Sequence, residues 1–551
     1  MEPICPALLV SVGNFTHDDD RAIALAQQVV ARQLGGKWIV TALGRGARDY
    51  RVKRASGNKL PVGQAWELTR KLRLDRDVFD AEPELTGPGL EPHPDERADM
   101  IEAGPVRASG TDGQPLECTN PPSYDWSLSL CKVQNAWELP VPNPATGKTR
   151  GEGIIVGHPD TGYTRHTEIW NPVAAENRVL WHDGRNFFDH VDDPADRLDG
   201  KHAGHGTATS SVIMAGADPT PGDRVDGIAP MAKLIPLRVT NCVVLINFGN
   251  LAEAIHYAVE KQCHVISISL GGPIRSRTLH RAVQRAVDNG IVVLSAAGNV
   301  WPWVIYPARF DEVVAVAACN CKKKVWTDSA SGSTVDVTAP GESVWVARTE
   351  NKNGHLNYYR DRGSGTSFAV ATAAGACALW LAFHGRDELI RKYGVPRLAS
   401  VFKEIVMTSG VDVPPGWRTN DYGAGILNVE KLLGSALPDT PHAAGMHVRA
   451  NAAPSSVNVM DEIVTFFPGV SRARVRSGLA RFLNARETEL PMILAEHGDE
   501  ILFHVATNPV VRAEIRRTPA APVAASRAMR KGGAARLART ASAAIRTRVG
   551  V

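Results

Sequence analysis

Cysteine is scarce in this chain: Cys5, Cys118, Cys131, Cys242, Cys263, Cys319, Cys321 and Cys377 are the only eight in 551 residues. Their scatter excludes the close spacing of a small disulfide-stapled scaffold, and most are expected to be reduced and structural. Cys319 and Cys321 have no second pair and no His partner at zinc-finger spacing. A strand end after EVVAVAA accounts for them better than a metal centre. Net charge is nearly absent as well, with 62 Lys and Arg against 58 Asp and Glu, so composition points to no nucleic-acid partner. One uncharged apolar stretch, Ser367–Phe383, falls short of the ~20 residues of a bilayer span. It is expected to be a buried helix, and no membrane span is expected. The start, MEPICPALLVSVG, lacks a basic segment ahead of its apolar residues and carries Glu2. That is unlike a secretory signal, so a cytoplasmic location is expected.

What is present is a long chain with 44% apolar residues, enough for two or three buried cores. From residue 153 onward, β-branched apolar runs recur: GIIVG (153–157), KLIPLRV (233–239), HVISISL (264–270), GIVVLSAAG (290–298) and EVVAVAA (312–318). Helical periodicity fills gaps between them, as in NLAEAIHYAVEKQ (250–262) and TLHRAVQRAVDNG (278–290). Strand and helix in alternation predict an α/β fold with a mainly parallel sheet and helices on both faces. In such a fold the loops at the carboxyl ends of the strands build the site.

Three short stretches fall where such loops belong: Asp160-Thr161-Gly162, Gly204-His205-Gly206-Thr207 and Gly365-Thr366-Ser367. They supply an acid, an imidazole and a hydroxyl. A Ser hydroxyl attacks an acyl carbon only when an imidazole takes its proton, and an acid must fix the imidazole's tautomer. Asn299, after the strand GIVVL, can donate to the negative charge that develops on the carbonyl oxygen. Asp160-Thr161-Gly162 also suits an aspartic protease, but no second D-T-G or D-S-G supplies the partner carboxylate. The order Asp, His, Ser differs from that of chymotrypsin-type chains and of α/β-hydrolases.

The strings GIIVGHPDTG (153–162), GHGT (204–207), SLGG (269–272), AAGN (296–299), VDVTAPGESVWVA (335–347), GTSFA (365–369) and YGAGILN (422–428) stand in one order. Together, across about 125–436, they resemble a subtilisin-like serine protease, a subtilase of peptidase family S8. The resemblance implies a three-layer subtilisin-like fold and a serine endopeptidase with Asp160, His205 and Ser367 as catalytic groups. It implies Asn299 and the Ser367 backbone N–H as oxyanion donors. Ser269, Leu270 and Gly271, with Ala296, Ala297 and Gly298, then line the first specificity pocket, and the former segment pairs with a polypeptide substrate as an added strand. Val300 and Ile305 near the pocket floor suggest a shallow apolar site for small aliphatic side chains. Trp301 and Trp303 either gate the pocket or pack on it. Ala208, Phe368 and Ala371 depart from the family pattern without removing a reacting group. No cofactor is required. Calcium, common in the family, is left open: Asp189, Asp192, Asp193, Asp196 and Asp199 fit no EF-hand spacing. Two other readings use the same residues, a catalytically silent binding scaffold and a peptide ligase.

The flanks differ in character. Residues 1–85, with KWIVTAL (37–43), GQAWELTRKLRL (63–74) and DVFDAEPEL (77–85), resemble a pro-domain or regulatory α/β module, and 86–124 reads as a linker in which self-cleavage is expected. Residues 437–517 read as a small helical domain suited to a protein partner or to oligomerisation. The basic Ala/Arg-rich tail, 518–551, is expected to be disordered.

Overall fold

The computed structural model describes residues 3–13, 19–86, 123–171, 173, 177–216, 224–299, 301–439, 459–517 and 527–551. Most of the linker, Val300, and the start of the helical region and of the basic tail lie outside these residues.

The apolar runs become the strands of one large sheet. Its strands are β5 (Ile155–Asp160), β6 (Arg185–Asn186), β7 (Lys233–Arg238), β8 (Val265–Ile268), β9 (Val292–Ala296), β10 (Val314–Cys319), β11 (Val337–Pro340), β14 (Val411–Asp412) and β15 (Ile426–Leu427). Their order is β14-β15-β11-β10-β9-β8-β5-β7-β6. Every pairing is parallel except β14 with β15. The strands are buried almost throughout, as parallel strands covered on both faces must be. A hairpin of β12 (Val344–Lys352) and β13 (His355–Gly363) stands apart from the sheet. With its helical layers on both sides, this is the three-layer α/β arrangement that the resemblance implies.

The helices that matter for the site are α3 (His205–Met214), α4 (Gly249–Glu260), α5 (Arg277–Asp288) and α6 (Thr366–His384). All nineteen residues of α6 are buried. By length and composition it could cross a membrane, and its complete burial within the protein identifies it as the central core helix. Close packing shapes it: a methyl group on Gly375 would lie 2.6 Å from Ile228 Cβ and 3.3 Å from the Ile213 carbonyl oxygen at the end of α3.

Ahead of this domain stands a four-stranded antiparallel sheet of β1 (Ile4–Val12), β2 (Trp38–Ala42), β3 (Asp49–Arg54) and β4 (Val78–Thr86), ordered β2-β3-β1-β4. Helices α1 (Asp19–Leu34) and α2 (Val62–Arg73) pack on it around a core of its own. After the domain come α7 (Val459–Thr465), α8 (Arg472–Phe482), α9 (Leu490–Thr507), α10 (Pro509–Arg516), α11 (Arg527–Thr540) and α12 (Ala543–Val549) around a third core.

One expectation needs correction. The basic tail is not disordered from 527 onward: α11 and α12 are folded, and Leu537, Ala541 and Ile545 are buried in the third core. Leu537 comes from α11, Ala541 from the turn after it and Ile545 from α12, so the two helices and their connection dock together on the third core. Most of the cysteines are reduced, as expected. Among the described residues six are free, including buried Cys319, while Cys321 is disulfide-bonded, so the Cys-x-Cys residues serve separate roles.

Candidate active site

Asp160 ends β5 with its side chain fully buried. Its Oδ1 accepts from the Thr161 N–H and from His205 Nδ1, both at 2.7 Å, and Thr209 Oγ1 lies 3.3 Å from Oδ2. Burial pushes this carboxyl up. The charge and hydrogen bond of His205, with the Thr161 N–H, more than offset it and hold Asp160 below its ordinary range.

His205 opens α3, immediately after Gly204 in a left-handed conformation (φ 75°). Asp196 braces this start by accepting from the Gly204 N–H at 2.7 Å. A methyl group on Gly206 would lie 2.3 Å from the Gly162 carbonyl oxygen and 3.2 Å from Asp160 Cβ. The glycines of G-H-G therefore let the helix start press against the Asp160 loop, which is what brings the imidazole to the carboxylate. With Nδ1 engaged, the second ring nitrogen remains as a base.

Ser367 stands one residue inside the start of α6 and is nearly buried. Its hydroxyl donates to the Ser269 carbonyl at 3.1 Å, and Ser269 Oγ donates to the Ser367 carbonyl at 3.1 Å. Hydrogen bonds to the base commonly tighten only when substrate is bound. Asn299 Oδ1 accepts from the Thr366 N–H (2.9 Å) and Oγ1 (2.8 Å), which fixes the amide and leaves Nδ2 to donate elsewhere. Both Nδ2 and the Ser367 N–H border one small space. A methyl group on Gly365 would lie 3.4 Å from Asn299 Nδ2 and 3.6 Å from Ser367 N.

A cavity of about 250 Å³ adjoins these groups. Ser269, Leu270, Gly271, Ala296 and Gly298 line it together with Asn299 and Ser367, whereas Ala297 is buried in a separate cluster with Val304 and Ala308. Trp301 and Ile305 close one wall, and Trp303 packs outward on Phe466 of the third core, with ring centroids 5.1 Å apart. The Phe368 ring lies 6.3 Å from that of His205. Ala208 and Ala371 are buried in their helices.

The edge expected to receive a peptide is already paired. Leu245 N–H donates to the Gly271 carbonyl at 2.8 Å, and Gly271 N–H donates to the Val243 carbonyl at 3.0 Å. Segment 243–245 thus occupies the backbone groups that an added strand would use. In the acidic loop Asp189 is bound to Arg238 (2.6 Å), and Asp193 and Asp196 accept from backbone N–H groups of their own loop. Among the described residues no three His, Cys, Asp or Glu side chains form a metal-holding group.

Two supporting residues escape a reading of the sequence. His158 is fully buried two positions before Asp160, with Nε2 3.3 Å from Thr209 Oγ1, and burial pushes its pKa down to about 4. Arg238, buried at the end of β7, donates Nε to the Thr161 carbonyl at 3.0 Å and steadies the Asp160 loop from below. The only sequence signal for either is a polar residue inside an apolar strand run.

Comparison with known proteins adds to this geometry. Residues 151–425 match the model of the Subtilase family, Peptidase S8. Subtilisin DY of Bacillus licheniformis is 32% identical over 287 residues, which is 51% of this chain and 91% of the relative. The intracellular serine protease of Paenibacillus polymyxa is 34% identical over 240 residues, 42% of this chain and 68% of the relative. The crystal structure of fervidolysin from Fervidobacterium pennivorans, a keratinolytic enzyme related to subtilisin, superposes with a TM-score of 0.55 at 20% identity. It covers 79% of this chain and 62% of that one, and the likeness is one of fold.

The pairing of segment 243–245 sets a measurable expectation. The Leu245 amide should exchange slowly with deuterium in the free protein and quickly in complex with an extended peptide aldehyde, as the peptide displaces it. Equal protection in both states would mean that the peptide binds without using the Gly271 edge.

Proposed function

The chain belongs to the subtilase family of serine endopeptidases, and on that premise we propose that it cleaves polypeptides through an acyl-enzyme formed on Ser367. His205 takes the Ser367 proton as Oγ attacks the substrate carbonyl, then delivers it to the leaving amine. Asp160 holds the imidazole in the tautomer that leaves its outer nitrogen free, and stabilises the imidazolium. The oxyanion forms in the space between Asn299 Nδ2 and the Ser367 N–H. Water then attacks the acyl group, with His205 again as base.

The observation that carries this reading is the convergence of two independent pairs. The Asp160 carboxylate meets the imidazole at 2.7 Å, and the Asn299 Nδ2 and Ser367 N–H donors meet in front of Gly365. Segment 243–245 must leave the Gly271 edge for an extended substrate to bind. The pocket walled by Ala296, Trp301 and Ile305 is apolar and small, which suits a short aliphatic side chain. We further read residues 1–85 as a pro-domain, with scission in 86–124.

Three outcomes are expected. Intact mass after exposure to a fluorophosphonate should show one adduct on the wild type and none on Ser367→Ala; an adduct on both, or on neither, would remove Ser367 from the mechanism. Gly365→Ala should fold normally, because φ there is 163°, an extended value open to any residue. It should nonetheless lower kcat on the order of 10²–10³-fold, the cost of one oxyanion donor measured in subtilisin itself; a variant as active as wild type would displace the oxyanion from that space. In a peptide library the residue before the scissile bond should be small and aliphatic, and a strong preference for Arg or Phe would contradict the pocket assignment.

A further inference from the structure

Away from the cleft, the three cores meet at a closed ring of alternating charge. Asp80 on β4 accepts from Arg277 on α5 at 2.9 Å and lies 3.3 Å from Arg73 on α2. Asp499 on α9 accepts from Arg73 at 2.7 Å and from Arg277 at 3.2 Å. The N-terminal module supplies one acid and one base, the catalytic domain the other base, and the C-terminal module the other acid. No two of the three parts can complete the ring alone.

A second set of contacts joins the N- and C-terminal modules directly. Glu500, almost wholly buried, accepts from Arg70 of α2 at 2.8 Å and from the Ser542 N–H at 2.6 Å. Glu67 of α2 accepts from the Ala543 N–H at 2.8 Å, and so caps α12 from another module. Phe503 of α9 is buried in the N-terminal core, its ring centroid 5.8 Å from that of Trp66. The backbones are in contact as well: a methyl group on Gly63 would lie 2.3 Å from the Ala541 carbonyl oxygen.

The N-terminal module also lies on α4 and α5. Arg51 pairs with Glu253, and Asp49 with Arg281. Glu82 accepts from Ser276 Oγ (2.5 Å) and the Arg277 N–H (3.1 Å) at the start of α5. It is therefore held from two sides, by the catalytic helices and by the C-terminal bundle. Its departure would take Arg70 from the buried Glu500, Arg73 from Asp499 and Asp80 from Arg277, and would uncover Phe503; removing the cation from a buried carboxylate is strongly unfavourable.

We propose that the C-terminal helical module is the binding partner of the N-terminal module. It retains that module as a tightly bound fragment once the segment between residues 86 and 124 is cut, so the processed protein is a two-fragment complex. The proposal rests on the reading that scission occurs in that segment, and its test is arranged to be independent of self-processing. A recognition site for an unrelated protease is placed in the segment of full-length Ser367→Ala protein, which is cut, diluted, and followed by size exclusion and native mass spectrometry.

The N-terminal fragment should stay bound through the column. Asp499→Asn, which preserves shape at a partly exposed position, should speed its dissociation by about 5-fold, the effect of losing roughly 1 kcal/mol from a partly solvated charge pair. Phe503→Ala should act in the same direction, and Arg73→Gln combined with Asp499→Asn should be less than additive, because both remove one contact. A fragment that leaves wild type during the column run, or one whose release rate is unchanged by Asp499→Asn and by Phe503→Ala, would overturn the proposal. Self-processing is read separately, from the mass of uncut protein with Ser367 intact.

Discussion

Everything in the cleft depends on one close approach. The start of α3 is pressed onto the loop that leaves β5, with room only for a hydrogen at Gly206. Two short elements, the loop after an interior strand and a helix start, meet there, and the 2.7 Å bond between Asp160 and His205 follows from their position rather than from a flexible side chain finding its partner. The surrounding groups hold that position. Arg238 fixes the Thr161 carbonyl, Asp196 fixes the Gly204 N–H, and Thr209 and His158 fill the buried space behind the carboxylate. Preorganisation of this kind lets a site stabilise charge without rearranging when charge appears.

The site is assembled from loops whose positions are set by strands, while the module seams are assembled from charge. Few ionisable groups at the seams are paired within their own module alone. Asp49 is paired with Arg281, Glu82 with the start of α5, and Glu500 with Arg70 and the start of α12. Apolar packing at Phe503 and Trp66 adds area, but the geometry of the charges sets the register in which the modules meet.

Much of the catalytic domain was legible in the sequence because its key positions tolerate few alternatives. Gly162, Gly204 and Gly298 have positive φ, and Gly206 and Gly375 touch neighbouring chain, so these letters recur where the backbone leaves no choice. The parallel strands announced themselves as unbroken apolar runs. What was not legible depends on tertiary partners. Nothing local marks 243–245 as the occupant of the Gly271 edge, since that pairing exists only after the sheet forms. The Ala- and Arg-rich tail looked like solvated chain because its buried contacts, Leu537, Ala541 and Ile545, come one each from two helices and the turn between them. The disulfide at Cys321 left no trace in the spacing of the cysteines.

Trp301 and Trp303 draw a line between the pocket and the end of the chain. One forms a wall of the cavity beside Asn299, and two residues later the other rests on Phe466. A catalytic domain excised at the boundaries suggested by family resemblance would keep every reacting group yet lose the buttress behind its specificity wall. On the reading that this wall meets the substrate's side chain, selectivity is not portable with the catalytic machinery, because part of what holds the wall lies outside the family domain.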